Sequence, residues 1–77
     1  GRDITEIPLI EVMNAMIISI KEQLSIRTDA LRLIVAKKLG FTRRGTKVDQ
    51  AIKEALEVLV NQNKIVITDG MVKLVEN

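Results

Sequence analysis

Arg43, Arg44 and Lys47 stand within five residues of one another, just ahead of a stretch whose apolar residues recur with helical spacing. The unpaired backbone N–H groups of a helix N-terminus, together with the positive end of its dipole, favour an anion. A cationic cluster placed there is suited to dock a phosphate. Gln50 and Lys53 follow at positions where a helix laid in a major groove would meet base edges, Gln reading adenine and Lys reading guanine. Glu54 and Glu57 stand beside them. Two carboxylates on that face are repelled by phosphates, so the pattern favours contact with the nucleic-acid backbone over the reading of bases. The alternative is a solvated loop whose arginines pair with Asp29, Asp49 or a helix C-terminus.

Other chemistries are poorly represented. The chain has neither cysteine nor histidine. Disulfides, thiolate nucleophiles, imidazole bases and the usual zinc ligands are therefore missing together. Ser19 and Ser25 have no candidate base, and the carboxylates show no metal-ligand spacing. No catalytic residue, metal ion or cofactor is expected. Lys37 and Lys38 close a helix, where cations complement the negative end of the dipole without any ligand. Twelve basic against ten acidic residues leave a net charge of +2, too little to indicate a nucleic-acid partner by itself. No apolar run reaches the ~20 residues that span a bilayer. No membrane association is expected, and the expected compartment is the cytoplasm. Gly1 stands where an initiator Met would be, which reads as a tag remnant or, by preference, as the start of a piece cut from a longer protein.

The elements that must carry these residues can be read in order. From Pro8 to Leu24 the residues Leu9, Ile10, Met13, Met16, Ile17, Ile20 and Leu24 define one face of a first helix. Ser25-Ile26-Arg27 is a minimal strand. Thr28 reads as the N-cap of a second helix, with Leu31, Ile34, Val35 and Leu39 inward and Gly40 as its left-handed stop. Phe41 is expected to fold back onto Val35 or Ala36. After the connection from Gly40 to Gly45, Thr46 and Asp49 resemble a capping box and open a third helix that runs to about Asn61. Its inward stripe is Val48, Ile52, Ala55, Leu56 and Leu59, leaving Lys47, Gln50, Lys53, Glu54 and Glu57 outward.

The tail is a hairpin, Lys64 to Thr68 and Met71 to Val75, joined by Asp69-Gly70, the pair that suits a type I′ turn. Placing Thr68 opposite Met71 sets Ile67 against Val72 and Ile65 against Leu74, so four aliphatics share one side. A two-stranded ribbon is not stable alone and must lie on the helices. Residues 8–77 therefore form a single mainly α domain with a small β-hairpin (α+β). The predicted fold is a winged helix-turn-helix of three helices and a C-terminal two-stranded wing, preceded by a disordered or tag-derived segment over 1–7. Phe41 is the single aromatic residue. The core must therefore be aliphatic, with Ile17, Ile20, Leu31, Ile34, Leu39, Val48, Ile52, Leu56, Leu59, Ile65 and Leu74 as its expected members. The three methionines read as core filler. Val12 and Ile18 fall outside the stripe of the first helix, and both are expected to be exposed as a docking face.

The spacing Gly40, Arg43, Gly45, with Phe41, Val48, Ala55-Leu56 and the Gly70 turn, resembles an uncharacterised small domain near the C-terminus of bacterial superfamily I DNA helicase-related proteins. There the domain often sits beside a nuclease domain. Asn63 stands where those domains tend to have glycine, and Met71-Val72 replaces a common aromatic. The resemblance implies a non-catalytic accessory module whose parent carries the ATPase, and it transfers no catalytic residue. Two functions are therefore expected. The first is low-specificity, phosphate-dominated DNA binding through Arg43, Arg44, Lys47, Gln50 and Lys53. The alternative is docking through Val12 and Ile18, to the rest of the parent chain or to a second copy in a weak homodimer, without DNA contact.

Overall fold

Among the described residues three helices and three short strands follow one another as α1 (Leu9–Gln23), β1 (Ser25–Arg27), α2 (Thr28–Lys38), α3 (Thr46–Asn61), β2 (Ile65–Thr68) and β3 (Met71–Leu74). A 3₁₀ turn, Ile4–Glu6, precedes them. The computed structural model describes residues 3–43 and 45–76.

The third helix follows its apolar periodicity closely: Val48, Ile52, Ala55, Leu56 and Leu59 are its buried residues. The ends of α2 and α3 both rest on left-handed residues. Gly40 has φ +95°, the Gly40 N–H donates to Lys37 O and the Phe41 N–H to Ala36 O. This is the paired bonding of a Schellman stop. Asn63, at φ 59°, repeats the arrangement at the end of α3, with its own N–H on Val60 O and the Lys64 N–H on Leu59 O. Asn is the side-chain-bearing residue best suited to that backbone. In the hairpin, Asp69 and Gly70 both have positive φ, and the register pairs Thr68 with Met71, Ile67 with Val72 and Ile65 with Leu74.

The sheet differs from expectation. It has three strands, not two, in the order β1-β3-β2 and antiparallel throughout. β1 pairs with β3, setting Ile26 beside Val72. A sequence pattern marks a strand but does not name its partner, so the three residues of β1 could not be joined to β3, more than forty residues away. Of the four hairpin aliphatics, Ile65 and Val72 are buried, Leu74 is half-buried, and Ile67, on the edge strand, remains 40% exposed.

The first helix is rotated from the predicted phase. Its buried residues are Val12, Met13, Met16, Ser19 and Ile20, whereas Ile10 is 59% exposed and Leu24, beyond the helix end, 82%. α1 carries aliphatics on most of its circumference, so more than one arc satisfies a three- and four-residue repeat. Ser19 enters the core because its hydroxyl donates to Ala15 O at 2.8 Å, one helical turn back. Leu24 sits at φ 65°, ψ −46°, an unusual conformation for a residue with a side chain.

Of the segment 1–7, expected to be disordered or tag-derived, Asp3 to Ile7 form a capped turn against the core, while residues 1 and 2 lie outside the described residues. Asp3 caps the 3₁₀ turn by accepting the Thr5 N–H, and the Glu6 carboxylate accepts the Asp3 N–H in return. Ile4 and Ile7 are buried and belong to the same core as Val12, Ile52 and Val72.

Two expected caps are replaced by backbone. Arg27 and Gly45 occupy the N-cap positions of α2 and α3, and neither provides a side-chain cap. Thr28 and Thr46 are the first helical residues instead. Ile17, Ile34 and Leu39, placed in the core from sequence, are half-buried against it.

Candidate nucleic-acid interface

The residues read as phosphate contacts do not all converge. Lys47, Gln50 and Lys53 are exposed on the outward side of α3, and Arg43 is exposed in the loop before it. Arg44 lies outside the described residues. Lys47 and Gln50 line a groove of about 530 Å³ between α3 and the N-terminal turn, with Ile4, Ile7 and Glu54. Lys53 lines a different groove, of about 410 Å³, with Thr28, Arg32, Glu57 and Ile67. The outward face of α3 is thus divided between two depressions, the first lined by Lys47 with Glu54 and the second by Arg32 and Lys53 with Glu57.

The electrostatics of the first groove include an acid that α3 alone does not contain. The Thr5 amide and hydroxyl, and to a smaller degree the positive charge of Lys47, hold the Asp3 carboxyl below its ordinary range. Lys47 therefore acts in the field of both Asp3 and Glu54, which reduces its attraction for phosphate. Asp49, in the first turn of α3, complements the helix dipole at the end where the cations were expected to act.

A scan against protein-family models, a search of curated proteins and a search of solved structures each find no match to this chain.

Arg32 was not singled out from sequence. It is half-buried in the second groove, and its Nε is shielded from solvent with no hydrogen-bond partner among the described residues. Its position in the middle of α2 resembles that of any solvated arginine, and only the approach of Lys53 and Ile67 distinguishes it. At the far end of α2, Lys38 pairs with Glu22 at 2.8 Å. This exposed ion pair joins α2 to α1 and is worth at most about 1 kcal/mol.

The docking face on α1 needs correction. Ile18 is 53% exposed as expected, but Val12 is only 1% exposed. Val12 belongs to the same core cluster as Ile4 and Ile7 and lines the first groove with them, and α1 packs chiefly against α3 and α2. The aliphatic residues that remain open on α1 are Ile10 and Ile18, eight residues apart and on the same side of the helix. Among the described residues no group of three or more carboxylates is placed to hold a metal ion, and no helix is long and apolar enough to cross a membrane.

Proposed function

We propose that this chain is a winged-helix module, not itself catalytic, of a larger cytoplasmic protein of the DNA helicase or nuclease type, and that it holds DNA weakly through phosphates. The order helix, strand, helix, helix, hairpin, with β1 completing the sheet against β3, supports the winged-helix reading. The observation that carries the function is the outward face of α3. Its apolar stripe is wholly committed to the core, while Lys47, Gln50, Lys53, Glu54 and Glu57 are all exposed. Such a helix, next in the chain to a hairpin, presents a polar surface that folding does not consume. Asp3, Glu54 and Glu57 keep the attraction weak and sequence-independent.

The test is a titration of labelled duplex DNA at several salt concentrations. With about four phosphates neutralised, by Arg43, Arg44, Lys47 and Lys53, the logarithm of affinity falls with the logarithm of salt at a slope near −3.6, and Kd is about micromolar or weaker at physiological salt. Charge reversal of Arg43 together with Lys47 abolishes binding and leaves the fold intact, whereas Gln50→Ala changes little. Absence of binding at low salt rejects the reading.

A second reading, docking to the rest of the parent protein through α1, is favoured by Ile10 and Ile18. Chemical-shift changes confined to α1 on adding the neighbouring domain would select it.

A further inference from the structure

We infer that β2 is a self-association edge, at which a second copy of this chain continues the sheet antiparallel to the first across a two-fold axis centred on Val66. The three-stranded sheet has the order β1-β3-β2, so β2 is bonded on one side only. The hairpin register settles which of its groups face away. Thr68 and Met71 flank the two-residue turn and form a hydrogen-bonded pair, and such pairs alternate along an antiparallel ladder. The Val75 N–H donates to Lys64 O at 3.0 Å, which agrees with that phase. Val66 and Thr68 therefore bond to β3, the Lys64 carbonyl bonds to Val75 just beyond it, and the amides and carbonyls of Ile65 and Ile67 point outward. β3 is the one strand paired with β2 among the described residues, so these outward groups face no strand of the same sheet.

Natural sheet edges are blunted by charges, proline, bulges or short length. β1 is three residues long and ends in Arg27. β2 reads Ile-Val-Ile-Thr, with no charge and no proline inside it. Val66 is 44% exposed on the outer face of the sheet and Ile67 40% on the inner.

The sequence around β2 is complementary to itself in one register. Pairing Ile65 with Ile67 of the second copy joins outward groups to outward groups, and it sets Val66 opposite its own copy in a non-bonded pair, where side chains are closest. Lys64 then falls opposite Thr68 of the second copy, next to Asp69, so opposite charges meet at both ends of the shared ladder. The two Lys73 side chains, which share the outer face with Val66, stand three strand spacings apart. That is roughly 14 Å at about 4.8 Å per strand, beyond the ~8 Å over which charges interact at physiological salt. The pairing consumes both β2 edges and leaves only the two β1 edges, so the assembly closes at two chains.

The test uses cysteines, since the chain has none of its own. Under mild oxidation Val66→Cys forms a covalent dimer at least ~10-fold faster than Thr68→Cys, because a disulfide needs Cα atoms within about 7 Å and the two copies of Thr68 lie four residues apart in this register. A mixture of Lys64→Cys and Thr68→Cys yields the mixed dimer. Sedimentation of the unmodified chain shows dimer at high concentration, and Val66→Lys returns it to monomer with the melting temperature unchanged. A monomer at every concentration, or equal rates for the two single cysteines, overturns the proposal and leaves the edge to an extended segment of another protein.

Discussion

Thr28 donates both its backbone amide and its side-chain hydroxyl to the carbonyl oxygen of Gly70, each at 2.9 Å. The first residue of α2 is thereby tied to the hairpin turn, 42 positions further along the chain. A threonine that would otherwise cap its own helix instead holds the tip of the β2-β3 ribbon against the helical layer.

Removing the hydroxyl tests that tie. Thr28→Val keeps the shape and loses one hydrogen bond, which costs about 0.5–1.5 kcal/mol. For a domain of this size about 1 kcal/mol lowers Tm by roughly 4–8 °C. Thr28→Ser retains the hydroxyl and stays close to the parent melting temperature. Equal melting of Thr28→Val and the parent would remove the tie as a source of stability.

The rotation of α1 predicts opposite outcomes for two positions that read alike in sequence. Ile18→Glu places a charge on an exposed site and shifts stability by no more than about 0.5 kcal/mol. Val12→Glu forces an unpaired carboxylate into the core, and loss of several kcal/mol unfolds a domain of ordinary marginal stability. Circular dichroism melts of the two variants decide the matter, and matched curves would show that the phase of α1 is wrong.

Gly40 and Leu24 form a second contrast, both lying at positive φ. A Cβ built on Gly40 meets nothing within 4 Å, so the cost of Gly40→Ala is backbone strain alone, about 1–2 kcal/mol. Leu24 is exposed and makes that conformation with a side chain. Leu24→Gly relieves the strain and raises stability by up to ~1 kcal/mol. Urea denaturation midpoints measured side by side should move in opposite directions.

The Asp3 cap has a defined pH dependence. Its carboxyl lies below the ordinary 3.8 when folded, chiefly because it accepts the Thr5 amide and hydroxyl. A depressed folded value means that the stabilisation is fully present above the unfolded pKa and is lost as pH falls through the folded one. The acid limb of stability below about pH 4 therefore contains a contribution from Asp3, which Asp3→Asn removes while retaining an N-cap. Melting temperatures across pH 2–6 for the two proteins provide the comparison, and parallel curves would rule the contribution out.

Local codes were decisive where one pattern admitted one answer. The α3 stripe has apolar residues on a single side, so both its phase and its outward polar face were legible in advance. Gly40 and Asp69-Gly70 announced their turns because few residues tolerate left-handed backbone, and the two-residue turn then set the register of every pair in the hairpin. The Asp3-x-x-Glu6 spacing was equally legible as a capping box and would have revealed the ordered N-terminal turn.

What only the tertiary structure decided depends on surfaces far apart in sequence. The aliphatic girdle of α1 fits several phases, and the choice among them was made when the helix packed against α2 and α3. The three residues of β1 acquired a partner only when β3 came alongside, and Thr28 exchanged its own helix for Gly70 at the same step. The division of the α3 cations between two grooves has the same origin, because Asp3 and Arg32 reach them from other elements. Side-chain periodicity specifies what a segment can bury, and the closest packing of the whole chain determines which of those options is used.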